Sequence, residues 1–484
     1  MSNPHWLTRD AFGNLDCRSL HTPFLRKVQM SRDTSIRRGG LARSLRMSFA
    51  GARAGGAFAV DSALKKIRAA APENNALLDR EARRFAGQLG ELKGSYVKIG
   101  QLLALLGEHF LPPSLTDALH ELDAQTRPLP WTQMQSVFRA GLGAQYSKLQ
   151  IEPQALAAAS LAQVHRAKII ATEDQVVVKG QYPDLVALLD DDFNTVVNML
   201  RLARWIPGSQ DFDGWLNTLH AQLLAEVDYP REQRMAQTMQ DALSQHPQLQ
   251  RAAVTVRVPK FWPEFCRPDI LTMEYVEGHR AASVEVAALP QATRNALGSV
   301  MLQLFFAEVF DLGLVQTDPN FGNYLISETG SELTMLDFGS VFELNEPLRT
   351  ALCDAIIAGL TDDETRLESA LVQLGCLTPD AGESAKATFK AFISNLLEPL
   401  RPPNTLPPAY LNAKGLYCWG RSGLINRTGK QVARSLTNKE FAIPSGDFAM
   451  VARKLAGVFT FIAVLNAEFN GYEIVAPYLT KTQT

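Results

Sequence analysis

Three oxygen-bearing side chains suggest the chemistry of this 484-residue chain. Asp318 and Asn323 stand five residues apart in Thr317-Asp318-Pro319-Asn320-Phe321-Gly322-Asn323, and Asp337 follows fourteen residues after Asn323 in Leu336-Asp337-Phe338-Gly339. Carboxylate and amide oxygens are hard donors. A magnesium ion commonly takes one or two from protein and the rest from phosphate and water. Asn323 and Asp337 suit such an ion, and Asp318 suits the orientation or deprotonation of an attacking hydroxyl. The matching cation is Lys179, at the end of the β-branched run Val176-Val177-Val178, where an ammonium would neutralise phosphate charge. It needs a nearby glutamate to hold it, and the helical stretch 215–240 offers Glu226, Asp228 and Glu232. Upstream, where a glycine-rich nucleotide cover is expected, the chain reads Ala155-Leu156-Ala157-Ala158-Ala159-Ser160-Leu161-Ala162-Gln163-Val164-His165. Alanine still lets backbone amides approach phosphate, less closely and less flexibly than glycine.

These residues need elements to position them. Helix formers dominate 41–125, with apolar residues at helical spacing over 77–107, until Pro112-Pro113 stops the run and Ser114 caps the next helix. Arg127-Pro128-Leu129-Pro130 reads as a hinge, and 131–150 as one short helix. Strands are expected over 151–170, 175–179, 254–258 and 270–275, and helices over 184–205 and 215–245. A long apolar helix over 285–313 leads to short strands at 324–326 and 333–336. Helices follow over 346–400 and 440–475, joined through the proline-rich 402–408. The outcome is a small mixed lobe, then a mostly helical one, with a helical extension in front.

Composition narrows the function classes. Apolar residues at 46% and charged residues at 20% fit an ordinary globular chain. Lys plus Arg number 48 against 50 acids, a net charge of −2, which argues against nucleic-acid binding. The five cysteines (Cys17, Cys266, Cys353, Cys376, Cys418) form no CxxC pair, so neither a disulfide framework nor a zinc site is expected, and a reducing compartment is. Val300–Phe310 is interrupted by Gln303 and Glu308, and Phe448–Leu465 by Arg453 and Lys454. A charge at a bilayer centre costs at least about 2.5 kcal/mol, so no transmembrane segment is expected and the chain reads as cytoplasmic or peripheral at a membrane. Residues 1–60 carry ten Arg/Lys and three acids, the pattern of a surface-seeking or targeting arm or of a disordered lead-in. His165 is expected to hydrogen-bond locally, His109 and His120 lack metal-ligand neighbours, and Trp131, Trp205, Trp215, Trp262 and Trp419 read as packing residues.

Asp-x4-Asn followed by Asp-Phe-Gly is the order of a protein-kinase catalytic loop. Over about 85–345 the chain resembles the UbiB/AarF family of atypical, protein-kinase-like proteins associated with ubiquinone biosynthesis. The motifs in order are Lys98-Ile99-Gly100-Gln101 (KxGQ), ASLAQVH at 159–165, Lys179, Glu226-Val227-Asp228 (ExD), LTMEYVEG at 271–278, TDPNFGN and DFG. The resemblance implies an α+β, bilobal protein-kinase-like fold with an N-terminal helical extension packed over the active site. Its parts are a basic arm over 1–40, the extension over 41–130, an N-lobe over 131–278 and a C-lobe over 279–484. It implies ATP and Mg²⁺ as cofactors, with Asp318 and Lys179 catalytic and Asn323 and Asp337 on metal. Ala157, Ala158, Ala159, Ser160, Gln163, Lys179, Glu274 and Val276 would line the nucleotide, the backbone of Glu274–Val276 facing adenine. Lys98, Gln101, Glu226, Asp228 and Glu232 would form the gating and ion-pair set, Lys98 meeting Glu226 or Asp228. Glu232 then becomes the better partner for Lys179. The implied function is a Mg-dependent ATPase or kinase supporting ubiquinone or isoprenoid-lipid metabolism. Its partners would be a quinone-precursor lipid, a biosynthetic protein complex and a membrane surface. A nucleotide-gated lipid-binding pseudokinase without phosphoryl transfer is the second reading. An aminoglycoside- or choline-kinase type is disfavoured, because such enzymes lack KxGQ and the alanine-rich cover. The chain departs from the family where Asn320 and Phe321 replace His and Pro, where Met235 stands for Asn, and in lacking C-terminal apolar spans.

Overall fold

The computed structural model describes residues 76–481 apart from 93, 107–110, 112, 121, 123–127, 204, 207–209, 319 and 428–445. The basic arm over 1–40, the helical reading of 41–75, Cys17 and His109 lie outside the described residues. The chain divides into two compact units. The first runs up to Arg231 and adds Lys260–Tyr275, and the second comprises Glu232–Pro259 and the chain from Val276 onward.

The first unit holds a helical cluster and a sheet. Helices α1 (Ala76–Leu92), α2 (Ser95–Leu106) and α3 (Pro113–His120) pack with α5 (Leu185–Leu202) and α6 (Gln210–Ala225). Their shared core includes Phe85, Leu89, Ile99, Leu103, Leu115, Phe193, Val196, Leu219 and Leu223. Ser95 on α2 donates a buried hydrogen bond to the carboxylate of Asp192 on α5. A Cβ at Gly100 of the KIGQ helix would meet the Leu122 side chain. The sheet is antiparallel, in the order β1 (Leu149–Ala158), β2 (Ala162–Ile169), β3 (Gln175–Gln181) and β5 (Ile270–Glu274). Val176, Val177 and Val178 are all buried, as expected of a central strand. Helix α4 (Trp131–Leu142) lays Met134, Phe138 and Leu142 against β3 and β5. It stops at Gly143, φ +55°, and continues as a 3₁₀ turn rather than reaching residue 150.

The single helix expected over 215–245 is two. Helix α7 (Tyr229–Gln245) begins afresh, and Glu226-Val227-Asp228 occupies the break. The reason is local. Pro230 has no N–H to donate, and Asp228 caps the new helix by accepting the amide of Arg231 at 2.9 Å.

The second unit contains most of α7, and its small strands pair in two groups. β4 (Thr255–Arg257) runs parallel to β8 (Glu332–Met335), which pairs antiparallel with β7 (Tyr324–Ile326), while β6 (Leu314–Gln316) pairs with β9 (Val341–Glu343). The long helix expected from 285 starts instead after Pro290 as α8 (Gln291–Phe306) and ends in a π-turn over Ala307–Leu312 that Gly313 closes at φ +65°. Gln291–Leu312, 22 residues, contains an 18-residue stretch of mean hydropathy 1.2, long and apolar enough to cross a membrane, yet 61% of that stretch is buried within the protein. It is the central core helix of this unit. Around it stand α9 (Glu346–Thr361), α10 (Glu364–Gln373), α11 (Glu383–Leu396), α12 (Gly446–Val464) and α13 (Tyr472–Lys481). The cysteines among the described residues are free, and Trp205, Trp262 and Trp419 are buried packing residues.

Candidate active site

In the first unit Lys179 lies on β3 between Val164 of β2 and Leu271 of β5, its ammonium 5.0 Å from the centre of the Tyr229 ring. The residues that follow it act as clamps. Gln181 Nε2 donates to the carbonyl of Val227, the middle of Glu-Val-Asp, at 2.6 Å. Tyr182 OH donates to the carbonyl of Ala159, in the alanine-rich turn, at 3.0 Å. One strand end thus carries Lys179 and ties down both the acidic motif and the alanine-rich turn. The sequence reading missed both clamps. Their signal was two large polar side chains at the end of a buried strand.

The alanine-rich segment is a hairpin. Ala157 and Ala158 end β1, Ala158 faces Gln163 across the ladder, and the Ala159 amide donates to the Ala162 carbonyl at 2.8 Å. Ser160 is buried in the turn. Gln163, expected on the nucleotide, is buried. Its Oε1 accepts the Leu129 amide at 2.8 Å, and its Nε2 donates to His165 Nε2 at 2.9 Å. His165 Nδ1 lies 2.8 Å from the Glu152 carbonyl, which can only accept, so the neutral ring carries its proton on Nδ1. Burial holds the His165 pKa below its usual value. Gln163 and His165 are therefore a brace under the alanine-rich hairpin.

Lys98 Nζ on α2 lies 2.5 Å from Glu226 Oε1, both half-buried. Gln101 Nε2 reaches the Leu122 carbonyl at 3.5 Å. At the end of β5, Glu274 donates its amide to the Lys260 carbonyl at 2.8 Å, and the Tyr275 amide donates to the Gln175 carbonyl at 3.1 Å. The Arg166 guanidinium sits over the Tyr275 ring, 4.1 Å from its centre.

In the second unit the chain from Thr317 to Asn323 links β6 to β7. Asp318 Oδ2 accepts from Asn323 Nδ2 at 2.8 Å, and Oδ1 accepts from Arg453 Nη2 at 3.2 Å. Asn320, one of the two departures from the family pattern, accepts the Gly322 amide at 2.8 Å and starts a 3₁₀ turn. The other, Phe321, is buried edge-on to Phe461 of α12. The Leu336 amide donates to the Asn323 carbonyl at 2.9 Å, extending the β7–β8 ladder, and Asp337 Oδ1 accepts the Gly339 amide at 2.9 Å. Asp318, Asn323 and Asp337 therefore gather at one end of this strand pair. Glu232, in the first turn of α7, is 1% exposed. Val276 begins the long second segment of this unit. Arg453 was missed in the sequence, where it reads only as a charge interrupting an apolar run.

The donor set fits a magnesium–phosphate pair. Asn323 spends its amide N–H on Asp318, which leaves the carbonyl oxygen as its hard donor. Among the described residues no group of three or more His, Cys, Asp or Glu could hold a metal by itself. An ion here would need phosphate oxygens, as Mg²⁺ at a nucleotide does.

A family model described as "ABC1 atypical kinase-like domain" matches residues 121–371, just over half of the chain. The chain is 26% identical over 447 residues to "Atypical kinase COQ8, mitochondrial" of Schizosaccharomyces pombe, covering 91% of this chain and 68% of that protein. It is 29% identical over 332 residues to the Saccharomyces cerevisiae protein of the same name, covering 67% and 63%. The chain thus spans about two thirds of the length of these relatives. The solved complex of Rv3197 with erythromycin from Mycobacterium tuberculosis superposes with a TM-score of 0.54 at 22% identity, covering 83% of this chain and 96% of that one, a likeness of fold. With its mixed sheet and helical units and its ordered motifs, the chain belongs to the UbiB/AarF family of ABC1 atypical kinase-like proteins.

Proposed function

We propose that the protein binds MgATP and turns it over, as an ATPase or as a kinase of a small lipid-pathway molecule, in support of ubiquinone or isoprenoid-lipid metabolism. The observation that carries this is the gathering of Asp318, Asn323 and Asp337 at one end of the β7–β8 pair. In the proposal Lys179 meets the phosphates and Glu232 is its carboxylate partner, since Lys98 holds Glu226. Asn323 and Asp337 hold Mg²⁺, the Glu274 carbonyl and Val276 amide read adenine, and Ala157–Ser160 cover the phosphates. Lys98, Gln101, Glu226 and Asp228 belong to a gating extension. The association with quinone-precursor lipid, a biosynthetic assembly and a membrane surface rests on the family resemblance and on relatives named COQ8. Phosphoryl transfer depends on positioning and charge neutralisation more than on covalent chemistry from the protein.

The second reading, a nucleotide-gated lipid binder that transfers no phosphate, is favoured by the Arg453 contact, which already engages Asp318 Oδ1 while Asn323 engages Oδ2. Radiolabelled ATP, with free phosphate and labelled acceptor followed separately, divides the readings. It is run with and without liposomes carrying quinone-precursor lipids. Free phosphate alone supports an ATPase, a labelled acceptor supports a kinase, and binding without either supports the second reading. Asp337→Asn is expected to abolish the thermal stabilisation given by MgATP. An undiminished shift would remove the metal assignment.

A further inference from the structure

Lys454 and Glu308 are deeply buried charges of the second unit, at 1% and 0% exposure, and the proposed nucleotide chemistry uses neither. Lys454 stands on α12 beside Arg453, and Glu308 stands in the π-turn that ends the core helix. Lys454 Nζ donates to Glu308 Oε1 at 3.4 Å, to Tyr324 OH at 3.0 Å and to Gln316 Oε1 at 3.4 Å, and it lies 3.1 Å from Glu308 Oε2 as an ion pair. Tyr324 OH in turn donates to Gln316 Oε1 at 3.1 Å. An ammonium has three protons, and three acceptors receive them.

The position of the acceptors matters more than their number. Gln316 is the last residue of β6 and Tyr324 the first of β7, so they immediately flank the 317–323 loop that carries Asp318 and Asn323. Lys454 joins the two ends of that loop into a closed ring of hydrogen bonds, and Glu308 neutralises it from beneath. Burial pushes the Glu308 carboxyl up, against the attraction of Lys454. A buried ion pair is a poor source of stability, because apolar residues of similar volume often do as well or better. Its value here lies in fixing one geometry. A π-turn at the foot of such a loop fits that role, since π-bulges recur at functional sites.

We propose that Lys454 is a positioning residue whose buried ammonium, held by Glu308, Gln316 and Tyr324, sets the two ends of the 317–323 loop and so the aim of Asp318 and Asn323. The helix that presents Arg453 to Asp318 thereby also fixes the loop from its buried side. The proposal rests on the nucleotide reading only for its activity readout. Its structural readout is independent.

Three variants test it: Tyr324→Phe, which keeps the ring against Phe461 and removes one oxygen; Gln316→Met; and the charge-neutral double variant Lys454→Met/Glu308→Gln. Each is measured by thermal melting, by amide hydrogen exchange of the full chain, and by MgATP turnover. Expected are melting points close to that of the unaltered protein and exchange at 317–323 at least about tenfold faster, with α9 to α11 unchanged. The turnover kcat is expected to fall on the order of 10- to 100-fold, while KM for MgATP stays within about threefold, the mark of lost aim rather than lost binding. Should the double variant fail to fold, the two single variants decide. Loop exchange that does not change, or that rises across the whole unit, would overturn the proposal, as would loosened exchange with undiminished kcat. If the unaltered protein neither binds nor hydrolyses MgATP, the nucleotide reading falls, and loop exchange alone decides for Lys454.

Discussion

Ala158 occupies the last position of β1, opposite Gln163, where in the proposed site a methyl group would limit how closely backbone comes to a phosphate. Replacing it with glycine is expected to raise nucleotide affinity, read as a lower Kd for ADP by calorimetry; unchanged binding would show that the alanines do not limit the approach. His165, beneath the same hairpin, carries a pH dependence whose sign follows from its burial. Its folded pKa lies below the ordinary 6.5, so the unfolded chain takes up a proton that the folded one refuses. Stability from this residue is therefore complete above about pH 6.5 and is lost as pH falls below it. Denaturant titrations between pH 5 and 8 should show a steeper acid loss for the native protein than for His165→Gln. Equal slopes would refute the neutral brace. Lys179, Asp318, Asn323 and Asp337 stand out in the sequence as candidates because each lies inside a spaced motif. Arg453 does not, since 135 residues separate it from Asp318 and only the fold joins them.

Elements were legible wherever one periodicity ran undisturbed, as in the β-branched β3 and the helices of the second unit. Boundaries were lost where a single side chain overrode the pattern. The cap at Asp228 and the ring of Pro230 split one helical run in two, and Pro290 delayed the start of the core helix. The break matters to the site because it turns the acidic motif into a loop that Gln181 can hold. Asp228→Ala is expected to cost about 1 kcal/mol, read in denaturant unfolding, through the lost cap. Gly278 shows a different constraint. The backbone at His279 pairs with Ile326 of β7 through hydrogen bonds of 2.8 and 2.9 Å, and a Cβ on Gly278 would lie 2.8 Å from the Ile326 carbonyl oxygen. Gly278→Ala must push that pairing apart, for a loss of about 1–3 kcal/mol. A melt indistinguishable from the native one would disprove the close approach.

At the scale of the whole molecule, Lys179 and Asp337 belong to different compact units. If one nucleotide engages both, MgATP must slow amide exchange in Val176–Gln181 and in 317–339 together. Protection confined to one unit would separate the two halves of the proposed site. Family membership was legible from motif order alone, whereas the interlocking of those motifs was not, because the residues that lock them carry no motif of their own. Gln181 and Tyr182 are the clearest case, two and three places after Lys179. That short stretch works as a ruler. Adding one residue between Lys179 and Tyr182 would exchange the two faces of the strand, releasing the acidic loop and the alanine hairpin in a single event. Surface loops of this protein should therefore accept added length that these four positions refuse, and natural length variation among its relatives should skip them.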